Sequence, residues 1–174
     1  APVTRSESTS EKYPLVLTTG RIRDQWHTMT RTGKVSRLRQ HIDSPFVEIH
    51  PDDARQRKLD EGSMAQVESD HGAVRVRAII TPKIKKGCVF LPMHWGRQLA
   101  QGLCRANNLT SKRVDPLSKQ PDFKYTAVQL KSISVPLRKI VVVGAGAAAF
   151  EFIQAYRRHN QSDSIHVYGN EDQP

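Results

Sequence analysis

Residues 64–81 read MAQVESDHGAVRVRAIIT, and this stretch decides the fold class. Apolar and polar residues alternate on both sides of Asp70-His71-Gly72. A period of two is typical of half-buried strands, and Gly72 is available for the positive φ angle that a tight turn requires. The stretch therefore predicts a β-hairpin.

Further short runs with strand composition lie on both sides of this hairpin. A helix is predicted from Pro51, because Asp52 and Asp53 favour its positive end and Gly62 follows as a stop. Short strands with small helices are typical of a closed β-barrel. The predicted strands are Pro14–Thr18, Phe46–His50, Met64–Ser69, Ala73–Thr81, Cys88–Leu91 and Tyr125–Leu130.

The last forty residues have a different pattern. Lys139–Val143 is a continuous apolar strand, a helical run extends to about His159, and Ile165–Tyr168 is a second strand. This order predicts a βαβ unit with a buried parallel pair. We therefore expect a flexible lead-in at 1–12, a barrel domain at 13–133, and a partial Rossmann-like fragment at 134–174.

Between the two strands of this fragment the chain has the small residues Gly144, Gly146 and Ala149, and Glu171 follows the second strand. The spacing matches the dinucleotide-binding fingerprint with alanine in the third position. A complete dinucleotide fold needs several more strands, so we expect this unit to be inert by itself. In a longer chain, Gly144, Gly146, Ala149 and Glu171 are a possible remnant of a dinucleotide site.

Composition narrows the function classes. The chain has 174 residues and a net charge of +10, which indicates anionic partners. Cys88 and Cys104 are the only cysteines, too few for a zinc site or an iron–sulfur cluster and compatible with a reducing compartment. No run approaches the length of a membrane span. We expect no resident metal, no membrane contact and a cytoplasmic protein.

The richest chemistry lies in Thr19–Thr28, directly after the first predicted strand. Two arginines, a glycine, an indole and an imidazole occur within these ten residues. Guanidinium groups bind phosphates, and an indole offers an aromatic face. His94, Asn107 and Lys124 come later in the chain, each at a strand end or in a polar loop. The pattern predicts a site for a phosphorylated, purine-containing ligand.

These segments together resemble the C-terminal molybdopterin-dinucleotide-binding domain of bacterial nitrate reductases, of the assimilatory branch. The likeness extends over roughly residues 13–132. Its motifs, in chain order, are Thr19-Gly20-Arg21 with Trp26-His27-Thr28, Phe46-Val47-x-Ile49-x-Pro51-x-Asp53-Ala54, Asn107-x-Leu109-Thr110, and Asp115-Pro116-x-Ser118-Lys119 with Phe123-Lys124.

The resemblance implies a mainly β fold, a double-psi β-barrel, and a bis(molybdopterin guanine dinucleotide) molybdenum cofactor. Nitrate would be reduced to nitrite by an oxidoreductase of nitrate assimilation, whose metal ligand and iron–sulfur cluster lie in upstream domains of the same polypeptide. The isolated domain is expected to be inactive, with no catalytic residue of its own. His94 would lie near the substrate funnel. The residues implied to bind the cofactor are Thr19, Gly20, Arg21, Trp26, His27, Thr28, Asn107 and Lys124.

The C-terminal fragment resembles the start of the FAD-binding domain of NAD(P)H-dependent nitrite reductases. The likeness rests on Ile140–Gly146 and Ile165–Gly169. It implies a flavoprotein module or subunit as electron donor, with FAD in the full-length parent.

Two other function classes stay open at this point. A flavin or nicotinamide module is suggested by the glycine pattern, although the missing strands argue against it. A basic nucleic-acid-binding barrel is suggested by the charge. Such a barrel presents stacking aromatics on one face, whereas aromatic residues here make up only 6% of the chain and are scattered. We therefore expect no nucleic-acid partner.

Overall fold

A computed structural model describes residues 7–42, 44–96, 104–134, 139–144, 146–159 and 163–169. Its contacts divide the chain into two compact units, Ala1–Ile133 and Ser134–Pro174. Each unit is considered by itself below.

Six strands of the first unit close into a barrel in the order β1-β5-β2-β4-β3-β6. Each lies within a residue or two of a predicted strand, because alternating apolar positions mark the inward face of each one. The bounds are β1 Leu15–Gly20, β2 Phe46–Ile49, β3 Met64–Ser69, β4 Gly72–Ile80, β5 Cys88–Pro92 and β6 Thr126–Ser132.

Parallel and antiparallel pairs are mixed in this barrel. β1 runs parallel to β5 and β2 runs parallel to β4, whereas the other neighbouring pairs are antiparallel. Parallel neighbours cannot be joined by a tight hairpin, so the chain has to cross the barrel end between them. The fold is the mainly β, double-psi barrel that the resemblance implies.

The barrel interior is apolar and closely packed. Leu17, Val67, Val89 and Val128 come from different strands and have essentially no exposed surface. Burying a side chain of this size contributes about 1.5–3 kcal/mol to folding. The interior therefore supplies the main driving force for closing the barrel.

The predicted hairpin forms, but Gly72 has a different role from the one expected. Its φ angle is not positive, because Gly72 is already part of β4 and pairs with Ser69. A Cβ at Gly72 would lie 2.7 Å from the carbonyl oxygen of Asn108. Glycine is needed there for the close approach of another backbone segment.

The helix predicted from Pro51 spans Pro51–Gln56 and is named α2. It ends well before the predicted stop at Gly62, since Lys58 takes a positive φ of 52°. The carboxylate of the buried Asp53 accepts a hydrogen bond from the Gly87 N–H at 2.6 Å. The other helices of this unit are short: α1 at Ser36–Arg39, and 3₁₀ turns at Thr32–Lys34 and Ala106–Asn108.

The first described residues are held against the barrel, although we expected a flexible lead-in at 1–12. One carboxylate oxygen of Glu7 accepts a hydrogen bond from the Ala127 N–H at 3.0 Å, and the other lies 2.6 Å from Nε2 of His71. Lys12 lies 3.6 Å from the Asp70 carboxylate. Residues 1–6 lie outside the described part of the chain.

The second unit contains a parallel pair of strands, β7 Lys139–Val143 and β8 Ser164–Tyr168, and helix α3 Ala147–His159. This is the predicted βαβ order. Tyr156 and Arg157 near the end of α3 donate hydrogen bonds to Asp163 just before β8. These contacts fix the return of the chain from the helix to the second strand.

Candidate functional site

The strand registers bring the candidate loops to one end of the barrel. The carboxyl ends of β1 and β5 lie together because these strands are parallel, and the amino end of β6 joins them because β6 is antiparallel to β1. The turn between β3 and β4 lies at the same end, since β3 is antiparallel to β6. We call this end the rim.

Thr19, Gly20 and Lys124 meet at the rim. The Thr19 hydroxyl donates a hydrogen bond to the Phe123 carbonyl at 2.7 Å, and the Lys124 ammonium donates one to the Thr19 carbonyl. A Cβ on Gly20 would lie 2.9 Å from the ring of Phe90 and 3.9 Å from Nζ of Lys124. The absence of a side chain at Gly20 therefore lets the Phe90 ring and the lysine approach the backbone.

The segment 21–28, named the display loop, presents all of its polar side chains outward except that of Gln25. The guanidinium of Arg21 lies 5.0 Å from the centre of the Trp26 ring, within range of a cation–π contact. The Trp26 and His27 rings meet edge to face at 4.5 Å. Arg21, His27 and Thr28 are exposed, and Trp26 keeps 45% of its surface accessible. A cation, an aromatic face and hydrogen-bonding groups thus form one outward cluster.

Buried polar contacts hold the display loop from below. The Gln25 side chain is buried, donates to the Leu38 carbonyl at 3.1 Å, and accepts a hydrogen bond from the Thr32 hydroxyl at 2.6 Å. The same hydroxyl accepts from the Trp26 N–H at 3.3 Å. Sequence reasoning missed Gln25 and Thr32, since a lone polar residue in a polar loop gives no signal of burial.

His94 supports the loop from inside the protein. We expected it near the substrate funnel, but its side chain has no exposed surface. Its Nε2 accepts a hydrogen bond from the Ile22 N–H at 2.9 Å, and its Nδ1–H donates to the His27 carbonyl. Both ring nitrogens are therefore engaged with backbone of the display loop. Burial, followed by the nearby Arg21 charge, lowers the pKa of His94 below its ordinary value of 6.5.

Asn107 occupies another part of the rim. It is exposed at the 3₁₀ turn 106–108, which is tied to the β3–β4 turn because Ser69 donates a hydrogen bond to the Leu109 carbonyl at 2.8 Å. Asn107 lines a cleft of about 1040 Å³ together with Glu7, His71 and Lys112. The cleft combines anionic and cationic groups. Its lining does not include the display loop, so Asn107 shares an end of the barrel with Arg21 but not a pocket.

The described fingerprint residues of the glycine-rich segment in the second unit are Gly144, Gly146 and Ala149. Gly144 takes a φ of 105°, and its N–H donates to the Tyr168 carbonyl at 2.6 Å. Gly146 immediately precedes α3, and Ala149 lies half-buried in the first turn of that helix. Glu171 lies outside the described residues.

No group of three or more His, Cys, Asp or Glu side chains in the described ranges could hold a metal ion. Burial raises the pKa of the Cys104 thiol, which disfavours the thiolate form that binds metals. None of the helices that the structure describes combines the length and apolar character needed to cross a membrane.

Comparison with known proteins agrees with this architecture. The chain is 49% identical over 131 residues to a nitrate reductase of Klebsiella oxytoca, covering 75% of this chain and 15% of that protein. It is 39% identical over 128 residues to the alpha subunit of an F420-dependent formate dehydrogenase of Methanocaldococcus jannaschii, covering 74% of this chain and 18% of the relative. It is 35% identical over 129 residues to the assimilatory nitrate reductase catalytic subunit of Bacillus subtilis, covering 74% of this chain and 17% of that protein. The chain thus spans less than a fifth of the length of these relatives.

Among solved structures, acetylene hydratase from Pelobacter acetylenicus superposes with a TM-score of 0.60 at 20% identity, covering 70% of this chain and 18% of that one. This likeness concerns the fold alone. The family described as the molydopterin dinucleotide binding domain matches residues 15–127, which span the barrel from the first residue of β1 into β6. The chain belongs to the molydopterin dinucleotide binding domain family.

Proposed function

We propose that this chain is the C-terminal cofactor-binding domain of a molybdenum-dependent assimilatory nitrate reductase of the cytoplasm. The observation that carries the proposal is the 49% identity to a nitrate reductase across three quarters of the chain. The relative named as the assimilatory catalytic subunit supports the assimilatory branch. The upstream catalytic domains of the same polypeptide are its main partners, because the chain matches only a small part of each relative.

The groups at the rim fit a bis(molybdopterin guanine dinucleotide) cofactor. Such a cofactor combines phosphates with guanine rings. Arg21 would bind phosphate, and the half-exposed Trp26 ring offers an apolar face and an N–H donor. The bare backbone at Gly20, with Lys124 beside it, leaves room for close approach of an anionic group. His27, Thr28 and Asn107 add exposed hydrogen-bonding groups, and Thr19 anchors the end of β1.

When bound, the molybdenum centre supplies the two-electron chemistry of oxygen-atom transfer. This chain's contribution is to bind the cofactor, orient it and offset the repulsion of its phosphates. Each charge-assisted hydrogen bond contributes about 1.5–3 kcal/mol to such binding. We expect the protein ligand of the metal and the iron–sulfur cluster to lie in upstream domains, because the two cysteines of this chain are too few to hold a cluster. The isolated chain is therefore expected to be inactive.

A formate dehydrogenase domain is the second candidate. The observation favouring it is the 39% identity to the formate dehydrogenase of Methanocaldococcus jannaschii over nearly the same length. Both candidates use the same rim in the same way, because cofactor binding and substrate choice are carried by different domains. The higher identity to nitrate reductase favours nitrate.

The cofactor content and activity of the full-length protein that contains this chain distinguish a nitrate reductase from a formate dehydrogenase. We expect the purified protein to contain molybdenum and guanine nucleotide, and to reduce nitrate with a reduced dye as electron donor. Oxidation of formate without nitrate reduction would assign the protein to the second candidate. Absence of both molybdenum and pterin from a folded preparation would overturn the proposal.

For the second unit, we propose that residues 134–174 begin a flavoprotein module that delivers electrons to the molybdenum domain. The left-handed φ angle of Gly144 and the start of α3 directly after Gly146 support this proposal. Gly144 would then allow the tight turn, Gly146 would let the backbone approach the pyrophosphate of FAD, and Ala149 would let α3 pack closely against the strand. FAD in the purified full-length protein, and its loss on Gly146→Val substitution without loss of molybdenum, is the expected result.

A further inference from the structure

The imidazole of His94 joins the two ends of the display loop. Its Nε2 accepts from the N–H of Ile22, the second residue of the loop, and its Nδ1–H donates to the carbonyl of His27, near the other end. The two contacts involve the residues directly beside Arg21 and Trp26, whose side chains stack on the outside of the loop. One buried ring therefore fixes the spacing between two exposed groups.

The backbone of this region needs such a support. Asp24, His27 and Met29 take φ angles of 68°, 37° and 61°, in the left-handed region that non-glycine residues rarely adopt. Conformations of this kind persist only where surrounding contacts over-determine them. His27 has both features, since its φ is positive and its carbonyl accepts from His94.

We propose that His94 is a positioning residue, which holds the display loop in its ligand-binding shape only as the neutral ring protonated on Nδ1. The proposal deepens the proposed function and rests on it for the identity of the ligand. In this tautomer the ring offers one donor and one acceptor, on opposite sides, and the loop backbone needs both. A doubly protonated ring would direct its Nε2–H at the Ile22 N–H, and that hydrogen bond would be lost.

The surroundings of His94 favour the neutral ring. Among the described residues, the titratable or charged groups that face it are Arg21 and His27, both on the display loop, and on its own segment the neighbour is the indole of Trp95 at 6.3 Å. Burial disfavours the charged ring most, and the Arg21 guanidinium adds to that effect. The hydrogen bond to the His27 carbonyl acts in the opposite direction but does not outweigh burial. The loop is therefore held firmly at neutral pH and loosens in acid.

Three substitutions separate the two contacts in the full-length protein. His94→Asn can keep a donor for the His27 carbonyl, His94→Gln can keep an acceptor for the Ile22 N–H, and His94→Phe keeps neither. Trp95→Phe is the control, since Trp95 is also buried but the two contacts with the loop backbone are made by His94. We expect molybdenum content to fall about tenfold in His94→Phe and less in the Asn and Gln variants, and to stay within about twofold in the control.

The two hydrogen bonds between His94 and the backbone of Ile22 and His27 are called the clamp. Hydrogen exchange of the Ile22 amide tests this clamp without reference to the cofactor. We expect faster exchange in His94→Phe and His94→Asn, and near-normal exchange in His94→Gln, with barrel strands protected in all three. Normal Ile22 protection in His94→Phe would overturn the proposal. If His94→Phe fails to fold, the difference in Ile22 exchange between His94→Asn and His94→Gln tests the proposal, and equal exchange in these two variants would overturn it. If the wild-type protein contains no molybdenum cofactor but Ile22 still exchanges faster in His94→Phe than in wild type, the role of His94 is supported and the proposed function is overturned.

The pH dependence tests the tautomer requirement, which a merely structural role would not produce. We expect wild-type protein to release its cofactor faster as the pH falls through the lowered pKa of His94, below its ordinary value of 6.5, and His94→Gln to lack this acceleration because an amide does not titrate. Identical pH profiles for the two proteins would overturn the requirement for a neutral ring.

Discussion

The Lys124 ammonium donates a hydrogen bond to the backbone carbonyl of Thr19, which lies 105 residues earlier in the chain. This contact joins the last residues before β6 to the end of β1, and it places a positive charge beside the bare backbone of Gly20. A fixed charge at this position can serve both the fold and an anionic ligand.

Replacing Lys124 by Met should therefore affect both the stability of the fold and the binding of the anionic cofactor. We expect the free energy of unfolding to fall by about 1–2 kcal/mol, because a charge-assisted hydrogen bond is lost at a partly exposed site. The cofactor content of the full-length protein should also fall. Urea unfolding and metal analysis measure the two effects, with Lys119→Met in the same segment as the exposed control. Equal free energies of unfolding and equal metal contents in the Lys124 and Lys119 variants would contradict this role.

Arg21→Ala should lower cofactor content without unfolding the barrel. The side chain is exposed and stacks on Trp26, so its loss removes a phosphate-binding group while the buried core stays intact. We expect about a ten- to hundredfold loss of affinity for the cofactor. Arg23→Ala is the matched control, because the Arg23 side chain is 94% exposed in the same loop. The role of Arg21 would be refuted by similar molybdenum contents in both variants.

Gly20→Ala should destabilise the barrel rim. The new Cβ would lie 2.9 Å from the Phe90 ring, so either the ring or the backbone must shift. Overpacking of this kind costs about 1–3 kcal/mol. Gly96→Ala is the control, since no described residue other than its chain neighbours has a heavy atom within 4 Å of the Cβ that it would add. Thermal unfolding of both variants checks the difference, and equal melting temperatures would exclude the clash.

Asp53→Ala should be clearly more damaging than Asp52→Ala. The Asp53 carboxylate is buried and accepts from the Gly87 N–H at 2.6 Å, whereas the Asp52 side chain is 37% exposed. Leaving the half-buried Gly87 N–H without its partner costs about 1–3 kcal/mol. Asp53→Asn keeps an acceptor and should recover part of the loss. Chemical unfolding of the three variants gives the ranking.

The pH dependence of stability should include a contribution from Glu68. Hydrogen bonds from Lys131 and then Gln66 lower the pKa of Glu68 below its ordinary value of 4.5, so the folded state binds the proton less readily than the unfolded state. This stabilisation is present above pH 4.5 and is lost as the pH falls through the lower, folded-state value. Lys131→Met should raise the pKa of Glu68, as measured by NMR titration. Lys86→Met, which breaks an ion pair with Asp52 instead, should leave that pKa unchanged.

The six strands could be predicted from the sequence because each carries its own local pattern. Alternation in Met64–Ser69 and Gly72–Ile80 identifies the inward face without reference to any other strand. The family motifs were equally readable, since they are short and contiguous. Each of these signals is contained within ten or so residues.

The role of His94 could not be read in this way. A histidine after a strand is compatible with a funnel, a ligand or a core position, and only its surroundings decide among them. The close approach of Gly72 to Asn108 is a similar case, because the sequence indicated a turn glycine and the reason for glycine lies in a segment more than thirty residues away.

The sequence by itself determined the strands, the family and the chemical groups of the display loop, because these depend on residue type and local spacing. The tertiary structure alone decided which of those groups meet. Thr19 and Lys124 come together only because β6 is antiparallel to β1, and His94 reaches the display loop only because β5 is parallel to β1. Strand pairing acts between distant segments, so no local pattern specifies it.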